Sequence, residues 1–572
     1  MRKQNKSPVS LYLAALLIGV VTTIANTTDF QKPPEKEDIA LVFQEGFAAS
    51  TARLEAMFVT NHKSVTKASP LSSQNSAFTA WLDLWRWCKL FTQLSEKDTT
   101  ELLDGDFAKE LLSDSSLSRM FFATLSAQDA APRVLANIRS IRKAHPQKWR
   151  EYISLAIAIA VVNDVRVPST WPHHQVQTAL VPISILPVDE QFSRWVSANE
   201  ERQLLLDPRK LLPSQLKFVV DAFVTDEELA WARKNVRLNR TRFDQAFFQV
   251  AYSNDRLKAQ EYDWNSGPYT LKEIRKKGGI CVDQAYYASI AGKANGLPTL
   301  FFTGQGRDGG HAWFGYMRSD DRWEIDCGRY SQQNYAIGEA LDPQTWQPIS
   351  DHEMELLAAR FRDKPEFAAS ENMLAVAEIL EKACETQPAD QALQKAIELC
   401  PKNSGAWEAR GAFLKRTGVS PQERILFHKQ AATQFSTQAD LRVLHQQQLS
   451  AIYQEQGDSS SSQKIERQIL LQNRHKRSDL SVNIAAKQLG THLEAGNIQA
   501  AESLFRKQIQ SLGETGGGIF FYDVATPYIN LLIKNGDKSD ARRTIDLVRR
   551  KLTPDQGSIM DNSLNKMEAE AR

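Results

Sequence analysis

Gly278-Gly279-Ile280-Cys281-Val282-Asp283-Gln284-Ala285, followed by Gly310-His311-Ala312-Trp313 and then Trp323-Glu324-Ile325-Asp326, decides how this 572-residue chain is read. A thiol that opens a helix just past a glycine pair, with a histidine and an aspartate on two later strands, is the order a cysteine nucleophile, its base and the base's orienter require. From Cys281 to Ala294 there is no proline, and the small residues Cys281, Ala285, Ala288 and Gly292 fall on one helical face. That face lets the helix axis lie close to a sheet. Cys281 is placed in the first turn, where unsatisfied N–H groups and the dipole favour thiolate, with Asp283 opposing them. The same N–H groups suit an oxyanion.

The strands are expected at Leu297–Thr303, Ala312–Met317 and Trp323–Cys327, with a glycine-rich loop over Gln305–Gly310. A four-residue hairpin loop at Met317–Asp320 pairs Tyr316 with Asp321 and sets His311 across from Asp326. Opposite residues have Cβ atoms roughly 4.5–5.5 Å apart, within reach of a carboxylate–imidazole bond. A slip of one residue sends Asp326 to the other face. In this register Cys327 points away and serves packing. A lone cysteine or strand histidine is more often a core residue than a catalytic one, and here order, spacing and flanking glycines weigh against that.

GGICVDQAYYASIAGKANGLPTLFFTGQ, GGHAWFGY and WEIDCGRY resemble the core of the transglutaminase-like superfamily, from Tyr262 to roughly Ile349. The resemblance implies a papain-like α+β core with Cys281 as nucleophile, His311 as base and Asp326 as orienter. The Cys-to-His interval of 30 residues implies a minimal core without the extra loops of animal members. The family includes cross-linkers, amidases, peptidases and inactive members, so membership implies a geometry and not a reaction. Gln284 lies downstream of the thiol, on the wrong side for the upstream glutamine of papain-type enzymes. Just before the site, Tyr262–Tyr269 forms an aromatic turn that serves either as a cleft wall or as edge packing. Trp264, Asn265, Gln284 and Trp313 are the candidates for lining the cleft or holding the oxyanion.

Outward from the core, Met1–Ser7 carries Arg2, Lys3 and Lys6, and Leu11–Ala25 is mostly apolar. That order reads as a secretory signal over 1–28, or a membrane anchor over 8–25 if it is not cleaved. Export to the periplasm or cell surface follows from it. With 42% hydrophobic and 24% charged residues and a net charge of +2, the chain can build several domains and offers no electrostatic case for nucleic acid. Five cysteines are too few for a disulfide scaffold; Cys281 is the one expected free, and Cys384 and Cys400 either pair or pack in helices.

Residues 29–254 read as mostly helical, acting as a prodomain or a cleft wall. Trp81, Leu84, Trp85 and Cys88 share a helix and the run Trp149–Val162 reads as buried. The proline-rich stretch Val165–Val188 holds His173-His174, which lacks further ligands at metal spacing, so no metal or cofactor is expected. The core is assigned to 255–350 and a helical array to 370–572. There Gly418, Gly457, Gly496 and Gly536 recur at intervals of 39, 39 and 40 residues. Ala392–Gly411 and Leu489–Ala501 resemble junctions of tetratricopeptide repeats, which implies a solenoid of helical hairpins with a concave surface for a protein partner, or a cap on the core. The resulting expectation is a multi-domain exported cysteine enzyme acting on a peptide or isopeptide-like amide, most simply by hydrolysis. Transamidation and a non-catalytic scaffold for a protein or cell-wall partner are the alternatives. Membrane contact is expected only through an uncleaved leader.

Overall fold

A computed structural model describes residues 30, 32–62, 74–103, 105–307, 309–320, 322–331, 336–350, 353–354 and 360–572. The leader expected over 1–28 lies outside the described residues. The chain is mostly helical, with one small five-stranded antiparallel sheet in its middle and helices toward both ends. No described helix is long and apolar enough to cross a membrane.

Two compact units are formed, each from two separate stretches of chain. In one, residues up to 143 combine with 360–419. Its core is built on the helix Gln74–Thr92, where Trp81, Trp85, Trp87 and Cys88 are buried and Trp87 Nε1 donates to Ser118 Oγ at 2.8 Å. The helix Pro365–Lys382 joins that core: Asn372 Nδ2 donates to Thr79 Oγ1 at 3.0 Å and Lys382 pairs with Glu55 at 2.8 Å. The first helices of the expected C-terminal array therefore pack with the N-terminal helices. The three-region reading divided the chain in sequence order, and these units do not follow that order.

The other unit combines 144–359 with 420–572 and contains the sheet. The strands are β1 (Thr299–Gly306), β2 (Gly310–Ser319), β3 (Arg322–Cys327), β4 (Ala336–Leu341) and β5 (Pro348–Ser350), in the order β3-β2-β1-β4-β5. Against it lies the helix Cys281–Ala294, buried at every residue after Cys281. Such all-round burial explains why its apolar residues show no single stripe. The small-residue face does bring the helix close: a Cβ on Gly292 would lie 2.3 Å from Thr299 Cγ2. At the helix's far end, the three donors of Lys293 Nζ are spent on the Phe218 carbonyl at 2.9 Å, Asp221 Oδ1 at 2.6 Å and the Thr299 carbonyl at 2.7 Å. A buried cation so saturated pins helix, strand and the preceding Pro213–Val220 helix together.

In the same unit, successive helices from Pro421 to Glu570 pack on their neighbours. Gly418, Gly457, Gly496 and Gly536 each stand two residues beyond a helix end, at Arg416, Glu455, Glu494 and Lys534. The turn after the helix Lys538–Leu552 reaches the connection before β2: Arg307 Nη2 donates to the Thr553 carbonyl at 3.0 Å and its Oγ1 at 2.8 Å. From the same turn, the Gly557 carbonyl accepts from Gln260 Nε2.

Candidate active site

The glycine pair before Cys281 is needed twice over. Gly278 has φ +77°, and its Cβ would lie 2.6 Å from the Ala251 carbonyl oxygen. Gly279 makes room for Asp283, whose Cβ would be 2.4 Å away. Asp283 folds back over that space and accepts from the Ile280 N–H at 2.8 Å, capping the helix at Cys281.

Cys281 is the first residue of the helix and is half-buried, and all five cysteines are free thiols. Burial pushes the thiol up to about 11, and the Asp283 charge adds to the rise. The Ala312 backbone N–H, directed at the sulfur, and the N–H groups of Val282 and Cys281 work against it. The favourable first turn is therefore present, and burial outweighs it. At neutral pH the resting group is the thiol.

His311 stands next to Ala312 on β2 and is buried. Thr299, which meets the Cys281 helix, pairs with Tyr316, so that face of β2 carries Tyr316, Phe314 and Ala312. His311 shares the alternate positions with Trp313, and their rings stack at 6.0 Å. Its Nε2–H donates to the Gly328 carbonyl at 3.1 Å, which leaves the lone pair on Nδ1. Burial pushes the imidazole below its ordinary value, the Gly328 and Arg329 carbonyls resist, and the Arg329 charge adds to the fall. At rest the imidazole and the thiol are each neutral, and the alternation of β2 sets His311 on the face opposite the Cys281 helix.

Asp326 does not have the place expected for it. The β2–β3 register pairs Phe314 with Cys327, Tyr316 with Glu324 and Met317 with Trp323, with irregularities between them, in place of Tyr316 with Asp321. The strands reach closer to the hairpin tip than a four-residue loop allows: Ser319 already pairs with Arg322. Asp326 is thereby carried away from His311. Its side chain is 46% exposed and bonded to Arg329 Nη1 at 2.8 Å, so the Gly328 carbonyl, not Asp326, orients the imidazole. Among the described residues no hydrogen bond joins Cys281, His311 and Asp326 to one another. Cys327 is buried, in keeping with packing.

The four candidates for cleft or oxyanion roles are spread out. Trp264 is buried and spends its Nε1–H on the Gly267 carbonyl at 2.8 Å, so the aromatic turn is edge packing at that residue. Asn265 is exposed. Gln284 is buried and donates through Nε2 to the Val250 carbonyl at 2.8 Å. Trp313 is buried, parallel to Phe302 at 5.6 Å, with the Arg329 guanidinium 5.1 Å from its ring.

Sequence reasoning missed the residues that hold the first turn. Asp283 accepts from Arg256 Nη1 at 2.7 Å through Oδ2 and from the Tyr269 hydroxyl at 2.9 Å through Oδ1. Since that hydroxyl donates to Asp283, it accepts from His173 Nε2–H at 2.9 Å, and His173 Nδ1 accepts from the Gln175 N–H at 3.3 Å. His173 is thus a neutral, fully used ring, pushed down to about 3 chiefly by burial. No group of three or more His, Cys, Asp or Glu able to hold a metal occurs among the described residues. The signal for this network was present only as Asp283 two residues past the thiol. Its partners lie 14 (Tyr269), 27 (Arg256) and more than 100 (His173) residues away in the chain, and no local pattern marks them. Set against known proteins, the chain matches no family model and no curated sequence.

Proposed function

We propose that this chain is an exported, transglutaminase-like cysteine enzyme that cleaves a peptide or isopeptide-like amide through a thioester on Cys281. The observation that carries the reading is the meeting of the first turn of the Cys281 helix with β2, where the Ala312 N–H addresses the sulfur and His311 is the adjoining residue. In this reading the core has a papain-like α+β arrangement, the C-terminal helices are tetratricopeptide-like hairpins available to a protein partner, and the Met1–Ala25 pattern directs export.

The resting charge state selects the mechanism. With thiol and imidazole both neutral, this reading requires the His311 ring to turn toward the Cys281 side of β2, where Nδ1 takes the proton from Sγ as sulfur attacks the carbonyl carbon. First-turn N–H groups stabilise the oxyanion. Collapse breaks the C–N bond, the amine leaves with the proton from His311, and water activated by the same imidazole hydrolyses the thioester. An amine in place of water gives transamidation from the same intermediate.

The test is acylation by p-nitrophenyl acetate. The expected result is a burst of one p-nitrophenol per chain with the acetyl group on Cys281, absent in Cys281→Ala and slowed about 100-fold or more in His311→Ala. Added primary amine shortens the acyl-enzyme lifetime if transamidation operates. No acetyl on Cys281 refutes the reading and favours a binding scaffold. That second reading is supported by the lack of hydrogen bonds among Cys281, His311 and Asp326.

A further inference from the structure

We propose that Arg256 and Asp283 are positioning residues for Cys281, an ion pair that fixes the first helical turn and sets the electrostatic potential at the sulfur. The pair is built into the fold. The Asp283 side chain is 1% exposed and that of Arg256 14%. Beyond its bond to Asp283, Arg256 donates through Nε to the Glu261 carbonyl at 3.2 Å and through Nη2 to the carbonyls of Tyr262 at 3.0 Å and Asp263 at 3.1 Å. Its guanidinium also lies 5.6 Å from the Trp264 ring. One cation therefore fastens the segment before the site to the carboxylate that caps the nucleophile's helix.

The charges facing Cys281 are few. Asp283, from its own helix, and Tyr252, from the preceding segment, act on the sulfur directly, and Arg256 reaches it through Asp283. Tyr252 is raised to about 12, first by burial and then by Cys281 and Tyr262, so it is neutral at working pH, as is His311. Asp283 and Arg256 remain as the opposed fixed charges, and the nearer anion disfavours thiolate. Burial raises Asp283 itself, and Arg256, the Ile280 N–H and Tyr269 work against that rise. Asp283 thus adds to burial in holding the proton on Cys281 until a base removes it. The pairing also makes Arg256 a brake on the Asp283 field, so removing either partner has opposite consequences at the sulfur.

The inference rests on Cys281 as the reacting group of the acyl-transfer reading, yet its test reads charge at the sulfur and not turnover. An inactive protein leaves it standing, and its failure leaves the acyl-transfer reading standing. The measurement is the iodoacetamide alkylation rate of Cys281 at pH 8 in the full chain, followed by peptide mapping, with folding checked by circular dichroism. Asp283→Asn keeps the acceptor for Ile280 and removes the charge; its rate is expected to rise about tenfold. Arg256→Gln leaves the carboxylate unneutralised; its rate is expected to fall severalfold. Tyr269→Phe breaks a bond to the same carboxylate without changing charge and is expected to stay within about twofold of wild type. Simple loosening of the turn would expose the thiol and speed all three variants together. That result, or no change in Asp283→Asn, overturns the proposal. If Arg256→Gln does not fold, the contrast between Asp283→Asn and Tyr269→Phe decides alone.

Discussion

Lys293 carries three hydrogen bonds in a site where it is 4% exposed, and burial pushes it below its ordinary value while Asp221 is pushed up. Removing one partner of such a pair strands the other without water. Lys293→Met is therefore expected to lower stability by about 3–5 kcal/mol, read as a drop in the urea midpoint. Lys293→Met with Asp221→Asn is expected to recover a large part of that loss. An unchanged midpoint in Lys293→Met would contradict the pinning role. At this scale the sequence was only partly legible. Cys281 at a helix start and His311 on a strand followed from glycine pairs and local order. Asp283, Arg256, Tyr269 and Lys293 did not, since their significance arises from partners brought together by the fold.

Among the elements, helix limits were the easiest to read and strand register the hardest. The Cys281 helix runs to Ala294 as expected because no breaker interrupts it and Gly296 follows. The β2–β3 hairpin extends to a Ser319–Arg322 pair, and irregularities beside Phe314–Tyr316 and Met317–Ser319 shift each following partner. Nothing in the alternation of Ala312–Met317 announces such irregularities, and the Asp326 assignment failed on them. A second buried element pair carries a pH dependence. In the helices Pro421–Gln434 and Ala439–Glu455, His428 Nδ1 and His445 Nδ1 share one hydrogen bond at 3.2 Å. Burial pushes both rings down to about 4, with His445 and Arg424 adding to the fall at His428. Unfolded histidine takes its proton near 6.5, so between 6.5 and about 4 the unfolded chain binds more protons than the folded one. Stability is fully present above 6.5 and falls as the pH drops toward about 4, by roughly 3 kcal/mol if the pair acts as one site. Urea midpoints measured from pH 7.5 to 4.5 test this, and His445→Gln is expected to flatten the slope. An equal slope in that variant would place the effect elsewhere.

Across the whole molecule, a helical chain with a small sheet in the middle was legible from breaker placement and the periodicity of glycines. The grouping of helices was not. Residues 360–419 join the N-terminal helices in one unit, while 420–572 join the sheet in the other, a choice made by tertiary contacts such as Asn372 with Thr79 and Arg307 with Thr553. The Arg307–Thr553 contact sets the turn after the helix Lys538–Leu552 against the connection leading into β2, so the C-terminal helices help hold the loop before His311. The central claim remains that this histidine removes the proton from Cys281. Its most direct test is the pH–rate profile of Cys281 acylation by p-nitrophenyl acetate in wild type and in His311→Ala. With His311 neutral above its lowered value and the thiol ionising only near 11, the wild-type rate is expected to be level across neutral pH and to fall only in acid, below the ordinary imidazole range. His311→Ala is expected to lose that plateau and climb about tenfold per pH unit toward 11. A wild-type profile that climbs in the same way as His311→Ala would contradict the claim.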